Sequence, residues 1–229
     1  MKFSRATVAT CAQATGTVVV IDVLRAFSTA AYAFAAGVNE IYLTREVGEA
    51  LALRDRLPGS LIAGEVGGLP VPGFDFSNSP SDLVNLDLRG RRLIQRTSAG
   101  TQGVVLSTRA QHLLATSFVC AGATARFIRG LDPQQLTFVI TGDGPNRNGD
   151  EDAACADYLE ALLYNQNPEI DPYLQRVRNS TSGRAFADPA QTELPAADLD
   201  YCMQLDRFNF AMQAHRENGL VILRRVQPL

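Results

Sequence analysis

The chain has 229 residues, 46% apolar and 20% charged, a composition that suits one folded domain spanning 1–229 and argues against a disordered, collagen-like or coiled-coil chain. A formal charge of −3 and a pI near 5.4 offer no cationic field for nucleic acid. Lys2 is the only lysine, so Schiff-base chemistry is not expected and phosphate contacts would come from arginine forks or backbone N–H groups.

Cys11, Cys120, Cys155 and Cys202 are far apart and form no Cys-x-x-Cys pair. That spacing argues against a zinc knuckle or disulfide framework and for a reducing, cytoplasmic setting. No apolar run approaches the ~20 residues a membrane helix needs, and the stretch before Ala12-Gln13-Ala14 is too polar for a signal sequence.

From residue 17 short apolar runs alternate with helical stretches, the pattern of a mostly parallel sheet flanked by helices. Thr17 to Ile21 reads as a buried strand running through Asp22-Val23-Leu24-Arg25 into an Ala-rich helix, Ser28 to Ala36, stopped by Gly37. A strand at Glu40 to Leu43, a helix at Glu46 to Leu57 and a strand at Ser60 to Ala63 follow, the last ending at Gly64-Glu65. The Gly- and Pro-rich run from Gly67 to Gly73 reads as loop, and Ser79-Pro80-Ser81-Asp82 as a helix start with Ser79 as N-cap. Arg91 to Arg96, Leu113 to Val119, Gln135 to Ile140 and Gly219 to Val226 read as strands. Helices are expected behind Thr97 to Gly103, over Glu151 to Leu163 and near Ile170 to Arg178, with a polar connection to about Ala197.

In open α/β sheets ligands bind beyond the carboxyl ends of the strands, where Asp22, Glu65 and Asp143 fall. If their strands are neighbours, the carboxylates converge as hard oxygen ligands of the kind Mg²⁺ prefers; otherwise each merely caps a helix or turn. Arg25 follows Asp22 closely enough to face the same pocket and hold an oxyanion, or else to form a local ion pair. Thr97 to Gly103 suits an anion cradle or a plain helix start, and it lacks the lysine of a nucleotide-binding loop.

Several hydrolase schemes fit poorly. Leu24 stands where a haloacid-dehalogenase-type site needs its second aspartate, no Gly-x-Ser-x-Gly elbow is present, and His112 and His215 have no partner at triad or metal spacing. Cys120 with Arg126 six residues on does match the spacing of a cysteine phosphatase and stays open as an alternative.

Four blocks in order, Val18-Val19-Val20-Ile21-Asp22-Val23-Leu24-Arg25-Ala26, Gly64-Glu65-Val66-Gly67-Gly68, Gly73-Phe74-Asp75-Phe76-Ser77-Asn78-Ser79-Pro80 and Thr97-Ser98-Ala99-Gly100-Thr101, resemble the 2-phosphosulfolactate phosphatase family. Glu151-Asp152-Ala153-Ala154-Cys155-Ala156 is similar to a fifth block. The resemblance implies a three-layer α/β fold and Mg²⁺-dependent hydrolysis of 2-phosphosulfolactate, or a related phosphorylated hydroxy acid, in coenzyme M biosynthesis. It makes Asp22, Arg25, Glu65 and Asp75 the catalytic candidates and Asp22, Glu65, Glu151 and Asp152 the metal candidates. Asn78, Ser79, Thr97, Ser98, Gly100 and Thr101 become substrate-binding candidates. Where this chain has Ala99 and Val66 the family usually carries an asparagine and a basic residue, so an anion binder without turnover is the other outcome the resemblance allows. The expected partner is a small phosphorylated acid, with no nucleic acid or membrane and with homo-oligomerisation left open.

Overall fold

The computed structural model describes residues 1–144 and 147–228. Its first half runs β1 (Lys2–Thr7), β2 (Gly16–Ile21), α1 (Ala26–Ala35), β3 (Glu40–Thr44), α2 (Val47–Arg56), β4 (Leu61–Val66), β5 (Leu69–Pro70) and β6 (Arg92–Arg96). It continues through α3 (Gly100–Leu106), β7 (Ala110–Thr116), α4 (Ala121–Leu131) and β8 (Gln135–Ile140) to a small ladder of β9 (Asp143–Gly144) and β10 (Arg147–Asn148). The rest is α5 (Asp150–Leu163), α6 (Asp171–Asn179), α7 (Thr181–Ala187), α8 (Ala196–Cys202), β11 (Ala211–Glu217) and β12 (Leu220–Val226).

Ten strands form one sheet in the order β1-β8-β2-β7-β11-β12-β3-β6-β4-β5. The block β1, β8, β2, β7 is parallel, as is the block β3, β6, β4. The β11–β12 hairpin joins them through antiparallel pairings only, so the two blocks run in opposite directions. This is a three-layer α/β fold with a mixed, mostly parallel sheet, as the resemblance implied.

β2 shows why the apolar run Val18 to Ile21 has no polar alternation. Val18 and Val20 pack on one face with Phe27 and Phe34 of α1, while Val19 and Ile21 pack on the other with Ile128 of α4 and Leu159 of α5. A parallel strand covered on both faces needs apolar residues at every position. α2 covers the far block, burying Ala50 and Leu53 on Tyr42, Ile62 and Ile94.

Several segments differ from the sequence reading, among them the Gly67 to Gly73 run expected as loop, which holds the two-residue strand β5 paired antiparallel with the end of β4. Ser79 does not open an α-helix: Pro80–Asp82 is one 3-10 turn, and the Ser79 hydroxyl bonds elsewhere. The strand expected over Leu113 to Val119 starts at Ala110 and ends at Thr116, with Phe118–Cys120 a 3-10 turn. The polar connection before Ala197 contains α7, and β1 and β11 are strands without an apolar run. Those strands form through pairing with β8 and with β7 and β12, not through local pattern.

Gly64 is dictated by the packing of β4 on β6. Its φ is +151°, and a Cβ there would lie 1.9 Å from the Arg96 carbonyl oxygen. The next residue, Glu65, is thereby delivered to the end of the strand.

Candidate active site

Asp22 is the first residue beyond β2, and its Oδ1 accepts the Ala26 N–H at 3.0 Å, which starts α1. Asp150, Glu151 and Asp152 form the first turn of α5, where the helix dipole favours negative charge. Asp152 ties the turns after β2 and β8 together. Its Oδ1 accepts from Val23 N at 2.8 Å, and its Oδ2 from Thr141 N at 3.1 Å and Gly142 N at 2.7 Å. Burial, and after it the charges of Asp22 and Glu151, push the Asp152 carboxyl well above the ordinary carboxylate range, against the pull of those N–H donors.

Glu151 is buried differently. Its Oε1 accepts from Ser182 Oγ of α7 at 2.7 Å, and its Oε2 is buried with no partner. A buried carboxylate oxygen without a donor is costly unless a ligand completes it.

Glu65 organises two loops. Its Oε1 accepts Ser98 N at 2.6 Å, and its Oε2 accepts Gly68 N at 2.6 Å and Ser98 Oγ at 3.0 Å. Ser98 Oγ in turn accepts the Gly67 N–H at 2.8 Å. The turn after β4 and the turn after β6 are thus one hydrogen-bonded unit.

Arg25, 4% exposed, donates from Nη1 to Asp198 Oδ2 of α8 at 2.6 Å, and its guanidinium carbon sits 5.0 Å from the centre of the Phe186 ring. It is a buried guanidinium held by a carboxylate and an aromatic face, both from the C-terminal third of the chain.

These groups surround a cavity of about 410 Å³, within the size range of small-molecule sites. Asp22, Arg25, Glu65, Asn78, Ser98, Glu151 and Asp152 all line it. The strands that deliver Asp22 and Glu65 are not neighbours; five others lie between β2 and β4 in the sheet. Sheet twist, roughly 20–25° per strand, accumulates over that span and turns the two opposed blocks so that their carboxyl ends share one space.

The remaining candidates lie outside the lining. Asp75 is exposed and its Oδ2 accepts Ile62 N at 2.7 Å, stitching its loop to β4. Ser79 Oγ donates to Asp198 Oδ1 at 2.8 Å. Thr97 and Thr101 are buried and exchange bonds, Thr97 N to Thr101 Oγ1 at 2.8 Å and Thr101 N to Thr97 Oγ1 at 3.0 Å. Gly100 is a packing position: a Cβ there would lie 2.6 Å from both Ala26 Cβ and Asp22 Oδ2. Asp143 is exposed on β9, next to the lining residue Gly142 but not itself part of the lining.

The Cys120 alternative is corrected by the structure. Its thiol is fully buried under α4, and burial raises its pKa, so thiolate is disfavoured. Arg126 is exposed and donates to Asn209 Oδ1, so no anion cradle forms between the two.

Sequence reasoning missed the far wall, formed by Thr181, Ser182, Ala185 and Phe186 of α7 with Leu194. The small-hydroxyl run Ser180-Thr181-Ser182-Gly183 resembles Thr97 to Gly103 and is the one local signal that pointed there. Thr141, Gly142 and Asp198 carried none.

A family model described as 2-phosphosulpholactate phosphatase matches residues 4–217. The chain belongs to the 2-phosphosulfolactate phosphatase family. It is 32% identical over 209 residues to a probable 2-phosphosulfolactate phosphatase of Bacillus subtilis, covering 91% of both chains. A protein of the same description from Carboxydothermus hydrogenoformans is 32% identical over 90% of this chain and 89% of its own. One from Deinococcus radiodurans is 40% identical over 62% of this chain and 61% of its own. Membership in the 2-phosphosulfolactate phosphatase family makes the chain an enzyme of the phosphoric monoester hydrolase class. The matched region contains every residue that lines the cavity.

Among the described residues no three His, Cys, Asp or Glu side chains converge as a ready metal site, and no helix is long and apolar enough to cross a membrane. The donor set still suits a hard divalent cation. Glu151 Oε2 is buried without a partner, and Asp22 and Glu151 both raise the Asp152 carboxyl electrostatically. Glu65 and Asp152 already spend both oxygens on protein donors.

Proposed function

We propose that this cavity hydrolyses 2-phosphosulfolactate, or a closely related phosphorylated hydroxy acid, with Mg²⁺. The observation that carries the reading is the buried, unpartnered Glu151 Oε2 in a cavity that also holds Asp22 and the buried guanidinium of Arg25. The family and the names of the relatives support the substrate.

Asp22 and Glu151 would hold the cation. Bound there, Mg²⁺ supplies Lewis-acid stabilisation of charge on the phosphoryl oxygens. Arg25 binds an anionic group of the substrate with a fork fixed before the substrate arrives, which lowers the ordering cost. Asn78 Oδ1, buried without a partner on the same wall, accepts a hydrogen bond from water or from the hydroxyl freed on the hydroxy-acid product. Asp152 positions the turns after β2 and β8, and Glu65 those after β4 and β6, so that all four hold their places around the cavity. Leu24, Ala99, Ala185, Phe186 and Leu194 form the apolar part of the lining that displaces bulk water. Four unpaired thiols agree with work in a reducing cytoplasm.

The test is phosphate release from phosphosulfolactate, phospholactate and phosphoglycolate by the purified protein, with Mg²⁺ and then with EDTA. Release that requires Mg²⁺ and is abolished in Asp22→Asn is the expected result. Full activity in EDTA or in Asp22→Asn overturns the metal assignment. Silence on every substrate, with anion binding retained, would make the protein a binder without turnover.

A further inference from the structure

We propose that Asp198, which lies outside the cavity, is the positioning residue for Arg25, and that through this contact α8 sets the affinity of the cavity for its anionic ligands. The inference rests on the reading of Arg25 as the anion-binding group.

Asp198 is fully buried, and each of its oxygens has a separate task. Oδ2 accepts Arg25 Nη1 at 2.6 Å. Oδ1 accepts three donors, Ser79 Oγ at 2.8 Å, Ser81 N at 3.0 Å and Ser81 Oγ at 2.7 Å. A carboxylate carries enough lone pairs for all four; an amide would turn a donor toward the guanidinium or the serines. The side chain is therefore anchored at one end so that the other is fixed in space.

Among the described residues the Arg25 side chain makes no hydrogen bond other than the one to Asp198, and its planar face is covered by Phe186. One edge of its fork is thus occupied and one face is covered, leaving the remaining N–H donors to the cavity it lines. Without the Asp198 contact the guanidinium would be a long, rotamer-rich side chain whose ordering is charged to each binding event. The same carboxylate grips Ser79 and Ser81, which follow Asn78 in the chain, so it sets two walls of the cavity from a segment 173 residues away from Arg25.

The experiment measures the affinity of the full-length, Mg²⁺-supplied protein for its two products, sulfolactate and inorganic phosphate, by calorimetric titration and by competitive inhibition. Asp198→Asn is expected to weaken at least one of them about tenfold or more and to raise KM more than it lowers kcat. In an Arg25→Met background the same change should add less than about twofold, because Asp198 then has nothing to position. Ser81→Ala is the second variant should Asp198→Asn not fold. It loosens the carboxylate without discharging it, and a loss of about threefold is expected with Arg25 present and none with Arg25→Met. Unchanged affinities for both products, or equal losses in the two backgrounds, overturn the inference. Wild-type protein that binds neither product overturns the phosphatase reading and this inference with it.

Discussion

Ser182 Oγ donates to Glu151 Oε1 at 2.7 Å, while the other oxygen of the same carboxylate is buried with nothing to accept. α7 therefore orients a carboxylate that α5 supplies, and the unbonded oxygen is aimed rather than free to rotate. Hydrogen bonds to charged groups contribute roughly 1.5–3 kcal/mol. Ser182→Ala is expected to lower kcat/KM by one to two orders of magnitude and to weaken Mg²⁺ binding. Steady-state kinetics across a Mg²⁺ titration checks this; wild-type behaviour would show that α7 does not orient Glu151.

Glu65 should behave as an organiser. Three donors from two loops converge on it, and Gln in its place can accept with one oxygen only. Glu65→Gln is expected to cost about 1–3 kcal/mol, which in a domain of this size lowers Tm by several degrees. Activity should fall with it, since Gly67, Gly68 and Ser98 line the cavity. Thermal unfolding and phosphate release measured on the same preparation test both parts.

Two glycines make a paired prediction. At Gly100 a Cβ would press into Ala26 and Asp22 at 2.6 Å, so Gly100→Ala must displace α3 or α1 and should destabilise by about 1–3 kcal/mol with loss of activity. Gly48 lies in α2 with nothing within 4 Å of its would-be Cβ. Gly48→Ala should stabilise by about 0.5–1 kcal/mol and leave kinetics unchanged. Chemical denaturation of the two variants decides between them.

The raised Asp152 carboxyl gives a pH dependence with a definite sign. Its pKa lies well above the ordinary 3.8 in the folded protein, through burial first and the charges of Asp22 and Glu151 second. The folded state holds this proton more tightly than the unfolded chain. The stabilisation it contributes is full below pH 3.8 and is lost as pH rises through the folded pKa. In EDTA the melting temperature should fall more steeply with rising pH above that value in wild type than in Asp152→Asn. Bound Mg²⁺ favours the ionised carboxylates, so its stabilising effect should be larger at pH 8 than at pH 5.

Much of the fold was legible in local pattern. β2, β8 and β12 announced themselves as apolar runs and α2 and α5 as helices, because each is buried on a continuous face or bounded by clear stop residues. β1 and β11 were not legible. Their residues alternate irregularly, and their strand state depends on partners far away in the chain. The Pro80 turn looked like a helix start because Ser-Pro at that position usually is one. Here the Ser79 hydroxyl is taken by Asp198 instead of by the backbone it would cap.

By itself the sequence determined the chemistry available to this protein. Its order of blocks carries Asp22, Arg25, Glu65, Asn78, Ser98, Glu151 and Asp152, and its composition leaves no lysine but Lys2 and no catalytic histidine pattern to compete with them. Only the tertiary structure decided which of these groups work together. Two parallel blocks that run in opposite directions turn their carboxyl ends toward one cavity through accumulated twist. That closure brings Ser182, Phe186 and Asp198 from a segment without periodicity onto Glu151 and Arg25. Such contacts depend on burial and on pairings between residues far apart in the chain. Local propensity encodes neither, because it sees only what each residue does to its neighbours.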